Sequence, residues 1–472
     1  METNVIKADN LSFCYEESKE GIDDISFSIG QGEIVLLTGN SGSGKSTLLK
    51  CLNGLIPSVT EGEMKGLLEV EGEKYSELKM HQLNQLIGSV FQNPRSQFFT
   101  DNTTAELVFP MENYGFDKRE MDERLESLKT TFGLDNLLDR DIYSLSSGER
   151  QLIALASAVT MKQKILLFDE PSANLDYGNA MKLGQIIKRL RGKGYTVIVA
   201  DHRFYYLSGL IDKVLFMEDG TLRICDSEEE FKQGEYNTRS FDLFAIDIPF
   251  AESSREDKVV ASLEDVSYRD ILKNINLTLN KGEITVLVGN NGAGKTTLAK
   301  TLCQSIKPDK GEVKVSGLPF FIMQDPDYQL FGTSVTNELE LVRNDANAIR
   351  DCLEYLGLSE YRYKHPFDLS GGQKQRLQIG MAMLCNRELI VFDEPTSGLD
   401  VYSMLNVSSE VKKLKADAGV LVISHDYEFI RHVANRIVYL KDGVIEKDFI
   451  LDKSTLSELN NIFKEMQEEK IL

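Results

Sequence analysis

The sequence has no strongly apolar stretch near the roughly 18 residues that a membrane-spanning helix requires. A chain that crosses a bilayer as a helix is therefore excluded. Positive charge is also short: 53 lysines and arginines stand against 74 aspartates and glutamates, for a formal net charge of −21. Wrapping nucleic acid needs a basic surface that displaces counterions, so nonspecific binding to it is not expected. Cysteine is scarce and scattered. Cys14, Cys51, Cys225, Cys303, Cys352 and Cys385 form no CxxC pair, and no histidine stands at metal-ligand spacing from them. They read as reduced structural thiols. The opening METNVIKADNLSF lacks the basic, apolar and small-residue order of a secretory leader, so the expected location is the cytosol. With 42% hydrophobic residues the chain has core formers enough for soluble globular domains.

What is present is present twice. GNSGSGKST (39–47) returns as GNNGAGKTT (289–297), with Lys45 and Lys295 offset by 250. LSSGERQ (145–151) returns as LSGGQKQ (369–375), ILLFDEP as LIVFDEP, and NLD as GLD, all offset by 224. His202 and His425 follow at 223. Five elements kept in one order mean a tandem duplication. The second copy is shorter by 26 residues between its lysine and its LSGGQ, and 18 of those precede the glutamines Gln92 and Gln324. That shortage predicts a trimmed antiparallel region. Residues 1–224 are expected to form the first domain, 225–257 a charged linker whose FDLFAIDIPF could pack on a domain, and 258–472 the second domain. Short Val/Ile/Leu runs alternating with helical stretches predict an α/β fold, with a mostly parallel sheet in each copy.

Both glycine-rich loops lie between an apolar strand and a helical stretch, the context a phosphate-binding loop requires. The first comprises Gly39, Asn40, Ser41, Gly42, Ser43, Gly44, Lys45, Ser46 and Thr47; the second Gly289, Asn290, Asn291, Gly292, Ala293, Gly294, Lys295, Thr296 and Thr297. Glycines let backbone N–H groups curl around phosphate oxygens, the helix N-terminus adds partial positive charge, and Lys45 or Lys295 reaches the β- and γ-phosphates. Ser46 or Thr296 is then a Mg²⁺ ligand. An apolar strand ending in two acids puts Asp169 and Glu170, and Asp393 and Glu394, where open α/β sheets bind ligands. Asp suits Mg²⁺, and Glu suits polarisation of the attacking water. Ser146 and Ser370 open capping boxes. Gly148, Gly371 and Gly372, expected to be exposed at those helix N-termini, add an anion site.

P-loop, lone glutamine, LSGGQ, DE-terminated strand, NLD or GLD turn and final histidine, in this order and twice, resemble the ATP-binding cassette (ABC) ATPases. The resemblance implies two P-loop NTPase domains, each with an antiparallel β region and a helical subdomain carrying the signature. It implies ATP and Mg²⁺ as the groups bound, and pairing of the cassettes within the chain. It makes Gln92 and Gln324 the Q-loop glutamines and metal ligands, Glu170 and Glu394 the catalytic bases, and His202 and His425 the γ-phosphate switches. It puts Tyr15 against adenine in one site and Tyr268 in the other. Ser147 replaces a customary glycine, and Arg203 stands where the second copy has Asp426.

VFQNPRSQFF (90–99) and IMQDPDYQLF (322–331) narrow the resemblance to energy-coupling factor (ECF) and cobalt-importer ATPases, here fused. That implies a peripheral protein at the cytoplasmic face of the membrane, powering uptake of a vitamin or metal ion through a scaffold subunit and a substrate-binding subunit. Asp327, three residues after its glutamine, is expected to meet an arginine of the scaffold; the matching first-copy residue is Arg95. The alternatives are a ribosome-acting tandem ATPase, which the acidic charge and short linker disfavour, and the fused ATPase of another ABC importer.

Overall fold

Runs such as IVLLTG, ILLFD and TVIVA are buried at almost every position, which a strand with a wetted face would not tolerate, so they pair in parallel inside the first half of the chain. In the computed structural model that sheet runs Thr221–Cys225, Lys213–Glu218, Ile34–Gly39, Thr196–Ala200, Ile165–Asp169 and Ile87–Val90, antiparallel only at its first pair. The second half repeats it, taken from the opposite edge: Phe320–Ile322, Leu389–Asp393, Gly419–Ile423, Ile284–Val288, Arg436–Lys441 and Val444–Ile450. The structure describes every residue except 1–3, 17–19, 162, 235, 237, 253–255 and 472, with side chains described for the others apart from Arg95, Lys470 and Ile471. Arg95, the first-copy match of Asp327, therefore has its side chain outside the described residues. Among the described residues, no helix is long and apolar enough to cross a membrane.

Two compact units divide the chain, Met1–Asp242 and Leu243–Leu472. Each adds an antiparallel sheet that closes a core over the helix following its glycine-rich loop. In the first unit this sheet has four strands (Gly21–Gly30, Asn4–Tyr15, Gly62–Val70, Glu73–Lys74), in the second three (Leu272–Asn280, Val259–Tyr268, Lys310–Val315). The strand Glu73–Lys74 and the helix Met80–Leu86 have no counterpart, and that is where the residues missing before Gln324 went. The remaining difference lies after the glutamine: helices Thr103–Asn113 and Lys118–Phe132, of 11 and 15 residues, become Val335–Val342 and Ala346–Tyr355, of 8 and 10.

The segment 225–257 is more than a connector. Its helix Glu228–Gln233 folds onto the first unit, where Phe231 stacks on Tyr236 and meets Phe204, Phe216 and Phe241. Past residue 243 the chain belongs to the second unit: Phe244 meets Tyr427, and Arg431 donates to the Ile248 carbonyl while lying over the Phe250 ring. Aromatic side chains spaced too irregularly to show a period do this packing.

Candidate nucleotide site

The sheet gathers the chemistry at its carboxyl edge. The strand Ile34–Gly39 lies between Thr196–Ala200 and Lys213–Glu218, so the loop that follows it is beside the strand ends carrying Asp169, Glu170 and His202. Two glycines of each loop are obligatory. A Cβ on Gly39 would stand 2.1 Å from the Met217 carbonyl oxygen, and one on Gly289 2.2 Å from that of Leu440. Gly44 and Gly294 open the following helices at φ 105° and 101°, a left-handed conformation that a side chain resists. Both lysines curl back into their loops. Lys45 Nζ donates to the Gly39 and Asn40 carbonyls at 2.9 and 2.8 Å, and Lys295 Nζ to those of Gly289 and Asn290 at 2.7 and 3.0 Å. Among the described residues the buried Ser43 hydroxyl has no hydrogen-bond partner, a polar group in want of an acceptor or donor within the loop.

The acids are buried beside these lysines. Burial pushes the Asp169 carboxyl up to about 6 despite Lys45, with Asp201 adding to the rise. Glu170 is pushed to about 8 by burial first and then by Asp201 and Asp169, against the pull of Lys45 and of Gln92. Asp393 rises to about 6 by burial and its neighbour Glu394. Gln92 Nε2 donates to Glu170 Oε2 at 2.7 Å, and His202 Nε2 stands 3.7 Å from Glu170 Oε1. In the second unit His425 Nδ1 is 2.6 Å from Glu394 Oε1, near in distance but off the alignment of a hydrogen bond, and the His425 backbone N–H donates to Glu394 Oε2 at 3.4 Å. Gln324 lies on an exposed turn at the matching place. Thr296 Oγ1 donates to Asp393 Oδ2 at 2.9 Å. A hydroxyl and a buried carboxylate side by side form the hard-oxygen pair that suits Mg²⁺, and the raised carboxyls are those a nearby cation would bring back down. Sequence reasoning missed the backbone of the two glutamates: Glu170 has φ 44° and Glu394 φ 50°, which side-chain-bearing residues seldom adopt.

It also missed a buried network beside each histidine. In the first unit Asp201 accepts from the Tyr206 hydroxyl and from the Arg203 and Ser172 backbone N–H groups, while Arg203 donates to the Ser172 and Ala173 carbonyls. In the second, Ser424 replaces Asp201, Asp426 replaces Arg203 and Phe429 replaces Tyr206. There Thr396 Oγ1 donates to Asp426 at 3.1 Å. The carboxylate has moved from one side of the histidine to the other, and the hydroxyl that served it has gone too. Only the Arg203 and Asp426 half of this swap was visible as an isolated mismatch. Arg203→Met is expected to destabilise the first unit by about 2 kcal/mol, since it strips buried carbonyls and a buried carboxylate of their cation. Denaturant unfolding of the full chain, with Arg203→Lys alongside, measures this.

Both capping boxes form. Ser146 accepts from the Glu149 N–H as the Glu149 carboxylate accepts from the Ser146 N–H, and Ser370 and Gln373 repeat the arrangement. One expectation fails: Gly148 is buried, because the Asn179 side chain lies over it, whereas a Cβ on Gly371 or Gly372 would meet nothing. Tyr15 rests against the P-loop helix, its hydroxyl 3.1 Å from Thr47 Oγ1. Tyr268 needs correction. It pairs across the sheet with Leu272 as Phe13 pairs with Ile22, so it occupies Phe13's register position and not that of Tyr15. The hairpin joining those strands is shorter in the second unit. Arg269 covers the Tyr268 ring at 5.1 Å.

The segments after Gln92 and Gln324 are built alike. The second glutamine of the motif ties the loop down: Gln97 accepts from the Phe91 N–H and donates to the Ser89 carbonyl, and Gln329 does so with Met323 and Phe321. Two residues on, buried Glu106 accepts the Phe99 N–H and buried Glu338 the Phe331 N–H, at 3.0 and 2.8 Å. Both rings are held outward, 77% and 78% exposed. Asp327, expected to meet an arginine from outside, is already paired 2.6 Å from Lys374 of its own signature helix.

The ABC transporter family pattern matches residues 22–173 and 272–397. A Treponema denticola relative, described as an ABC transporter ATP-binding protein, is 40% identical and covers 98% of this chain and 100% of its own. A Methanosarcina mazei relative of the same description is 29% identical across 94% of this chain and 88% of its own. Among solved structures, the complex of archaeal ribosomal stalk protein aP1 with the ribosome recycling factor aABCE1 matches at a TM-score of 0.66 and 23% identity, covering 96% of this chain and 92% of that one. At that identity the likeness is one of fold. With both halves matched and the P-loop, acidic strand end and histidine brought together in each, the chain belongs to the ABC transporter family and is a tandem ATP hydrolase.

Proposed function

We propose that this ATPase is the energising subunit of an ECF-type importer, driving uptake of a vitamin or metal ion through membrane partner subunits at the cytoplasmic face. The observation that carries this reading is the pair of outward phenylalanines. A buried carboxylate in each unit, Glu106 or Glu338, ties down the loop that leaves the Phe99 or Phe331 ring largely in water, Phe99 with one face stacked on Phe109, and an apolar partner would cover what stays exposed. Each lies seven residues beyond a glutamine of the nucleotide site, within reach of a change there. The relatives' shared description as transporter ATP-binding proteins supports the same reading.

In the chemistry, Lys45 and Lys295 exchange their loop carbonyls for phosphate oxygens. Glu170 and Glu394 accept the proton of the attacking water. His202 and His425, within reach of these carboxylates, hold the γ-phosphate end. Ser46 with Asp169 and Gln92, and Thr296 with Asp393 and Gln324, would hold Mg²⁺, which neutralises charge on the transferred phosphoryl group when bound.

A second reading, a tandem ATPase acting on ribosomes, is favoured by the fold likeness to aABCE1. Affinity capture of the full chain from gently solubilised native membranes separates the two. Stoichiometric recovery of integral membrane subunits is expected; recovery instead in an ATP-dependent ribosomal pellet would overturn the importer reading.

A further inference from the structure

Each unit packs a helix against the residue two places after its histidine. In the first, Phe231 of Glu228–Gln233 meets Phe204. In the second, Phe463 of the last helix, Leu456–Ile471, meets Tyr427 edge-on with centroids 5.1 Å apart, and the Tyr427 hydroxyl donates to Asn460. The supports differ in reach. Six residues of helix extend about 9 Å and sixteen about 24 Å. The longer helix is anchored by Leu459, Ile462, Phe463 and Met466, all fully buried, so its far end is held in place. That end carries Glu469 to the second glycine-rich loop. Asn290 Nδ2 donates to Glu469 Oε2 at 2.6 Å, and Lys441 Nζ stands 2.6 Å from Glu469 Oε1. Lys441 also pairs with Glu465, one turn back, so neutralising Lys441 does not by itself require Glu469.

We propose that Glu469 is a positioning residue of the second nucleotide site. It fixes the Asn290 side chain and sets a carboxylate against the loop that receives a polyphosphate. Two effects follow. The negative charge opposes the incoming triphosphate, so the second site binds ATP less tightly than its loop alone would. The same helix ends on the P-loop and rests on Tyr427, two residues past His425, so one rigid element joins the phosphate-binding and γ-phosphate-sensing parts of the site. Among the described residues, the six-residue helix of the first unit shows no such link, which makes the two sites unequal.

The inference rests on the second loop binding ATP, which wild-type chain tests first: Lys295→Ala must abolish one of two binding events seen with a fluorescent ATP analogue. With the first site silenced by Lys45→Ala, Glu469→Gln is expected to tighten ATP binding about three- to tenfold, a gain that shrinks as salt screens the charge, while adenosine affinity stays unchanged. Glu465→Gln removes the same charge one turn away and is expected to leave ATP affinity alone. Unchanged ATP affinity in Glu469→Gln, an equal gain in Glu465→Gln, or an equal gain for adenosine would each overturn the proposal. Should Glu469→Gln lower the melting temperature, Glu469→Ala, which removes the charge and the hold on Asn290 together, substitutes: it is expected to tighten ATP binding, and wild-type affinity there is the overturning result.

Discussion

Replacing Glu170 and Glu394 together by glutamine is expected to slow steady-state phosphate release by about a hundredfold or more, with Mg-ATP affinity kept within about twofold. General-base catalysis contributes on the order of 10²–10⁴ in rate, or about 3–5 kcal/mol of barrier, and glutamine keeps the size and the hydrogen-bonding reach of the side chain. Gln92 and the two histidines retain a neighbour, and the lysines are untouched. Loss confined to turnover is the signature of an interaction made in the transition state. Phosphate release and equilibrium binding measured on the same preparation decide the matter. Wild-type turnover in the double variant would take both glutamates out of the chemistry, and lost binding would make them part of the nucleotide cradle instead.

Phe99→Glu combined with Phe331→Glu is expected to cut solute uptake by reconstituted importer at least tenfold, while the ATPase rate of the isolated chain stays within about twofold of wild type. Burying one phenyl ring is worth about 1.5–3 kcal/mol, and the second ring adds its own share if both dock. The rings are 77% and 78% exposed, so the exchange costs the fold little. Uptake at wild-type rate with both rings replaced would mean that this surface is not where the partner sits. Asp327 is a poorer target than its charge suggests. Its bond to Lys374 means that reversing it disturbs the signature helix as well as any partner.

The strand ends, the glycine-rich loops and the histidines were legible because each is a short contiguous run whose chemistry depends on neighbours in sequence. So was the trimmed antiparallel region, which needed only the distance from lysine to glutamine. What escaped depends on contacts between distant segments. Nothing near Gly148 reveals that Asn179, 31 positions on, covers it. Tyr268 was misassigned because strand register, and not loop offset, decides which aromatic faces the P-loop helix. Glu106 and Glu338 read as ordinary helix acids until their carboxylates are seen to hold the phenylalanine N–H groups. Glu469 lies 179 residues from Asn290, beyond any motif's range.

The left-handed backbone of Glu170 and Glu394 sets a limit on how thermally robust this enzyme can become. A residue with a β-carbon held there costs on the order of 1 kcal/mol that glycine or asparagine would not. A selection for heat tolerance alone would therefore drift toward those residues and lose the carboxylates, and consensus stabilisation has to leave the two positions out. Reactivity and durability compete at one pair of torsion angles in each unit.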